Sequence, residues 1–83
     1  MIKCPVCMRF DFEHDNNFQV CDVCGWENDG VQHDDPDYRG GANFVSLNEA
    51  IANYKECGFA MSEKSKAEYK AYCEARYSKR DKL

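Results

Sequence analysis

Two short stretches, Cys4-Pro5-Val6-Cys7 and Cys21-Asp22-Val23-Cys24-Gly25, set the architecture of this chain. Each holds a C-x-x-C pair, and thirteen residues separate Cys7 from Cys21. Two residues between cysteines let the backbone turn tightly and aim both sulfurs at one point. Two such turns brought together make a tetrahedral cage of four sulfurs. Gly25 follows the second pair, where a sharp turn favours a residue without Cβ. The spacing predicts one metal ion held by Cys4, Cys7, Cys21 and Cys24. A closed four-thiolate site leaves no open coordination position, so the ion would be structural. Zn²⁺ is the expected occupant, one per chain, and iron is the alternative for the same cage. A thioredoxin-like role for Cys4 and Cys7 would need a βαβ pattern, which the sequence does not show.

The residues between the pairs read as a hairpin. Phe10 and Phe12 share one parity, His14-Asp15-Asn16-Asn17 is a polar turn, and Phe18 and Val20 share one parity on the return. An isolated hairpin is marginal in water, so the metal would close it. Further on, Asp35-Pro36-Asp37-Tyr38 and Gly40-Gly41 are turn signals. Trp26 is expected to pack beneath the 27–43 loop, with Asp35 and Asp37 capping its turns. Ser46-Leu47-Asn48-Glu49 is a capping box. Leu47, Ala50, Ile51 and Tyr54 then follow the spacing of one buried helical face, and Gly58 is placed to end that helix. A second helix is expected from near Ser62, with Tyr69, Tyr72, Cys73, Arg76 and Tyr77 as a packed face. Cys57 and Cys73 read as small buried apolar residues, a disulfide between them being unsupported. The tail Lys79–Leu83 is expected to fray. The fold class is α+β: a small zinc ribbon, an antiparallel hairpin with two knuckles, followed by two α-helices. Residues 1–83 form a single domain, with 1–45 as ribbon plus acidic loop and 46–83 as the helical part packed on it.

Composition explains the need for a metal. Leu, Ile, Val and Phe make up 14 of the 83 residues, a share near the border of disorder. A core in so short a chain rarely supplies more than about 3–5 kcal/mol, and small domains add a staple. No apolar run approaches the roughly 20 residues of a membrane span. The N-terminal Met1-Ile2-Lys3-Cys4-Pro5 lacks an apolar signal region, so a reducing cytoplasm is the expected location, where disulfides are rare.

The net charge of −4 is unevenly spread. Residues 1–45 carry −6 and residues 46–83 carry +2. Glu27, Asp29, Asp34, Asp35 and Asp37 concentrate the negative charge, with Arg39 the only nearby base. Such a surface repels phosphate backbones and suits a basic protein partner. These five acids are therefore the candidate partner-binding residues, unless they form an ordinary solvated loop. Two other classes stay open. A ribbon could associate with nucleic acid through Phe10, Phe12, Phe18 and Trp26, against the acidic balance. A metal-dependent hydrolase could use His33, Asp34, Asp35 and Asp37, although a structured polar loop is the preferred reading of these residues. His14 reads as an exposed turn residue. No catalytic constellation or phosphate-binding loop is present, and a non-catalytic module is expected.

The stretch from Cys4 to Gly58 resembles the bacterial cysteine-rich CPCC family. The resemblance rests on the first cysteine pair near the N-terminus and on Cys21-Asp22-Val23-Cys24-Gly25-Trp26-Glu27. It continues through Asp35-Pro36-Asp37-Tyr38-Arg39-Gly40-Gly41-Ala42-Asn43, then Ser46-Leu47-Asn48-Glu49-Ala50 and Asn53-Tyr54. Val6 stands where the family's name motif has a third cysteine, so a fifth thiol near the site is missing while the pair is kept. The resemblance implies a zinc-ribbon-like domain of bacterial origin. Small acidic bacterial proteins of this kind often act as immunity partners of toxins, and that role is the expectation it brings. Residues after Gly58 match nothing in the resemblance.

Overall fold

The computed structural model describes residues 2–14 and 17–81, with backbone alone for 76–81. The turn residues Asp15 and Asn16, the side chains of Arg76 and Tyr77, and the side chains and end of the 79–83 tail lie outside the described residues. Among the described residues, five elements follow one another: β1 (Ile2–Lys3), β2 (Asp11–Phe12), α1 (Gly30–Asp34), α2 (Leu47–Cys57) and α3 (Glu63–Asp81).

β1 and β2 pair antiparallel, with Ile2 opposite Phe12 and Lys3 opposite Asp11. This hairpin differs from the expected one. Phe10 and Phe12 were expected to pair forward with Phe18 and Val20. Instead β2 pairs backward across the first cysteine turn. Phe18–Val20 likewise pairs across the second, through an isolated bridge between Val20 and Glu27. A C-x-x-C turn already brings its own flanks together, so each flank finds the nearer partner and closes the shorter loop.

The acidic loop contains a helix that periodicity did not reveal, since α1 is only five residues long. Asp29 caps it by accepting the Val31 N–H at 2.9 Å. α2 follows the sequence signals closely. Ser46 Oγ accepts the Glu49 N–H at 3.1 Å, and Glu49 Oε1 accepts the Ser46 N–H at 3.0 Å. Leu47 and Ala50 are buried, with Ile51 and Tyr54 half-buried beside them. Gly58 closes the helix, its N–H donating to the Tyr54 carbonyl. Ser62 starts α3 by accepting the Ser65 N–H at 3.1 Å.

One apolar cluster joins the parts, running from the cysteines through Phe12 and Trp26 to Val45, Leu47, Ala50 and Ala60. Backbone bonds reinforce it: Ala60 N–H to the Cys24 carbonyl at 2.8 Å, and Asn48 N–H to the Pro36 carbonyl at 3.0 Å. Arg39 ties the loop to both long helices. It reaches Glu49 at 2.8 Å and Glu68 at 3.6 Å, with its guanidinium over the Phe44 ring.

The tyrosine face of α3 was expected to be packed, and this is corrected. Tyr69 and Tyr72 lie tilted against the Phe44 ring at centroid distances of 5.3 and 5.7 Å yet stay about half exposed, at 47% and 48%. The two outlying cysteines are corrected too. Cys57 and Cys73 are exposed free thiols. Cys57 is the last residue of α2, and its sulfur faces the Phe59 carbonyl at 3.7 Å. Cys73 lies on α3 among exposed neighbours. No helix among the described residues is long and apolar enough to cross a membrane.

Candidate metal centre

The two cysteine turns share one backbone design. In the first, Met8 N–H donates to the Cys4 carbonyl at 2.9 Å, and in the second Gly25 N–H donates to the Cys21 carbonyl at 2.9 Å. Met8 and Gly25 occupy the same place, one residue after the second cysteine. Both have left-handed backbones, with φ of 60° and 85°. The glycine signal was readable in the second turn, whereas in the first a methionine takes the conformation against its side-chain preference. The turns close with Cys4 N–H on the Phe10 carbonyl at 2.7 Å and Cys21 N–H on the Trp26 carbonyl at 2.8 Å.

These turns aim peptide N–H groups at sulfur. Arg9 donates to Cys7 Sγ at 3.4 Å, and Val23 and Cys24 donate to Cys21 Sγ at 3.3 and 3.4 Å. Val6 and Cys7 do the same for Cys4, and Trp26 for Cys24. Each sulfur thus meets donors suited to a thiolate.

All four sulfurs are buried and lie within 4.8 Å of one another. The pairs Cys4–Cys24 and Cys7–Cys21, each spanning the two turns, stand 3.6 Å apart. A tetrahedral ion with metal–sulfur bonds of about 2.3 Å sets its sulfurs about 3.8 Å apart. The set therefore fits one tetrahedral metal ion, with every ligand supplied by this chain. Among the described residues it is the one group placed closely enough to hold a metal.

Protonation resists crowding four thiolates together. Burial pushes the Cys4 thiol from its ordinary 9.0 up to about 11, against the N–H groups of Cys7 and Val6. Burial likewise raises Cys24, aided by the charge of Cys4 and opposed by the Trp26 N–H. For Cys21, burial opposes ionisation. The N–H groups of Cys24 and Val23 and the neighbouring thiols outweigh it, so its pKa falls. Cys21 is the natural first thiolate, and a captured cation would displace the protons held by Cys4 and Cys24.

The remaining candidate residues do not form a second cluster. Asp29 is corrected: it is buried at 6% exposure, and both carboxylate oxygens are engaged within the chain. One accepts from Val31, the other from the Ala42 N–H at 2.9 Å. It caps the loop, the task expected of Asp35 and Asp37, and cannot face a partner. Asp34 and Asp35 are exposed. Asp37 accepts from Asn48 Nδ2 at 2.8 Å, and Glu27 is half-buried. His33 meets Asp34 at 3.6 Å on an open surface. Of the four aromatic residues considered for base stacking, Phe12 and Trp26 are fully buried. Phe10 packs edge-on against Phe12, and Phe18 alone is exposed.

Sequence reading missed Gln32. It is fully buried, and its amide meets five polar partner atoms, with the two Nε2 protons shared among three carbonyls. Nothing in the local pattern distinguishes a buried amide from a solvated one. The nearest signal is Gly41, where a Cβ would lie 2.6 Å from Asp29 Oδ2 and 2.9 Å from Gln32.

No curated protein matches the chain. A family model described as Cysteine-rich CPCC matches residues 2–75. The match runs past Gly58 into α3, beyond the reach of the sequence resemblance. With the two cysteine turns, the Gly-Gly-Ala-Asn loop, α2 and the first part of α3 inside that span, the chain belongs to the cysteine-rich CPCC family.

Proposed function

We propose that the chain is a small zinc-stabilised, non-catalytic protein-binding module, built as a zinc ribbon with appended helices. One observation carries this reading: four buried sulfurs from two matching turns gather at tetrahedral spacing. Zn²⁺ in such a cage has no ligand position left for water and serves the fold rather than a reaction. Cys4, Cys7, Cys21 and Cys24 would hold it, and iron is the other ion the same donors accept.

The binding face is the exposed acidic stretch around Asp34 and Asp35, with the exposed Asp37 close by in sequence and the half-buried Glu27 the remaining candidate. Arg39, the base nearest in sequence, is paired with Glu49 and Glu68 and leaves this charge unneutralised. A basic protein surface complements it. In its most concrete form the partner is a toxin domain, and the chain a bacterial immunity protein acting in the cytoplasm. Burial of Phe12 and Trp26 removes support from nucleic-acid stacking. The open setting of His33 and Asp34 gives a hydrolase no enclosed site.

The test is a charge swap, Asp34→Lys with Asp35→Lys, against a basic protein captured from the native host. Binding weakened at least about tenfold, with a wild-type association rate that falls as salt rises, is expected. Unchanged binding with an intact fold would reduce the acidic stretch to a solvated face. Tight wild-type binding to DNA or RNA near physiological salt would favour the nucleic-acid reading instead.

A further inference from the structure

The two cysteine turns have matching backbones but different lateral support. The first is flanked by the β1–β2 ladder. The second is flanked by one isolated bridge, Val20 to Glu27. Its two bonds, Cys21 N–H to the Trp26 carbonyl and Asn28 N–H to the Gln19 carbonyl, bracket that pair. In such a pair the N–H and C=O of Glu27 point away from the hairpin, toward where a third strand would lie.

A side chain fills that place. Asn43 Oδ1 accepts the Glu27 N–H at 2.8 Å, and Asn43 Nδ2 donates to the Glu27 carbonyl at 2.8 Å. One amide thus supplies both bonds of a neighbouring strand. Gln32 holds Asn43 in turn. Its Oε1 accepts from Asn43 Nδ2 at 2.9 Å and from the Asn43 backbone N–H at 3.0 Å. Its Nε2 shares two protons among the carbonyls of Asn43, Tyr38 and Val45. Glu27 directly follows Trp26, whose carbonyl accepts the Cys21 N–H at 2.8 Å. The chain of contacts therefore runs from Gln32 through Asn43 and Glu27 to a candidate metal ligand.

We propose that Asn43, locked by Gln32, is a positioning residue of the metal centre: it acts as a surrogate strand that keeps the Cys21–Cys24 turn closed and slows metal loss. The proposal rests on the reading that the four cysteines hold a metal. It gives the Gly41-Ala42-Asn43 loop a task at that site, although none of its residues can ligate through sulfur. Removing partners that orient metal ligands commonly costs 10–100-fold in affinity.

The experiment uses the zinc-loaded full chain and three variants: Asn43→Ala, Asn43→Asp and, as control, Asn48→Ala. Asn48 bonds the exposed Asp37 beside the same loop. Asn43→Asp keeps the acceptor for the Glu27 N–H but sets a carboxylate oxygen against the Glu27 carbonyl and Gln32 Oε1. Zinc transfer to a chelating indicator and site-resolved amide exchange are the readouts. The expected result is release accelerated at least about tenfold in both Asn43 variants and unchanged in Asn48→Ala. Exchange should rise at Cys21 and Asn28 and stay unchanged at Cys4. If Asn43→Ala fails to fold, Asn43→Asp carries the same comparison. Equal release rates in zinc-loaded chains, or exchange rising alike at Cys4 and Cys21, would overturn this inference alone. A wild-type chain that takes up no zinc would overturn the metal reading and this inference with it.

Discussion

Residues 2–45 and residues 46–75 are held by different physics. Among its described residues, the first region has two strands of two residues each and one helix of five. Its order comes from fixed points: four converging sulfurs, a buried carboxylate at Asp29, and the Gln32–Asn43 amide pair. The second region uses ordinary helix signals, namely a capping box, an apolar face and a glycine stop. Most of the apolar core lies in the first region, yet that region's regular elements are too short to set the backbone around the core. Specific polar contacts and the converging cysteines must do so, and each is then hard to replace. Where a helix forms from periodicity, single changes are absorbed.

The largest expected effect falls on the sulfurs. Cys21→Ser should unfold residues 1–45, read as collapse of their amide dispersion, because the proposed metal would supply much of the folding free energy of that region. The helix over 47–57 should lose less, and equal loss across both regions would break the comparison.

Next comes pH. The thiol of Cys4 is held up to about 11 and that of Cys24 is raised, so both are protonated near neutrality. Metal capture must release those protons, and capture therefore strengthens as pH rises and weakens as pH falls. Each proton displaced changes apparent affinity about tenfold per pH unit. Competition titrations against a chelator at several pH values measure the slope, and a flat profile below neutrality contradicts the assignment.

A smaller effect is expected at Gly41. Gly41→Ala would press a methyl group against Asp29 and Gln32, both buried and hydrogen-bonded. A loss of about 2 kcal/mol is expected in chemical denaturation of the loaded protein. In the helical region, Ser46→Ala removes one cap and should cost about 1 kcal/mol. Cys57→Ser, at an exposed site, should lie within about 0.5 kcal/mol of wild type. A Cys57→Ser cost as large as that of Gly41→Ala would erase the contrast between the regions.

The same contrast explains what was legible in the sequence. The four cysteines, the capping box and the Gly58 stop were readable because each is a local pattern with a fixed spacing. Burial of Trp26 followed from the scarcity of other large apolar residues. The strand pairing was misread because parity alone does not say which flank a strand closes against, and the cysteine turns offered a shorter closure. Asp29 was counted with the surface acids because composition does not show that a loop returns at Ala42 to bury it. Gln32 and the strand-like use of Asn43 depend on contacts between residues far apart in the chain, 11 and 16 positions. Cys57 and Cys73 matched a helical period, yet that period has an exposed phase as well as a buried one.

The most direct test strips metal from the purified wild-type chain with a chelator and follows its amide spectrum and metal content together. One zinc per chain at the start is predicted, with loss of dispersion for residues 2–45 as the zinc leaves and recovery when zinc returns. A chain purified without chelator that contains neither zinc nor iron, or one whose 2–45 amides are unchanged after the metal is removed, would contradict the account.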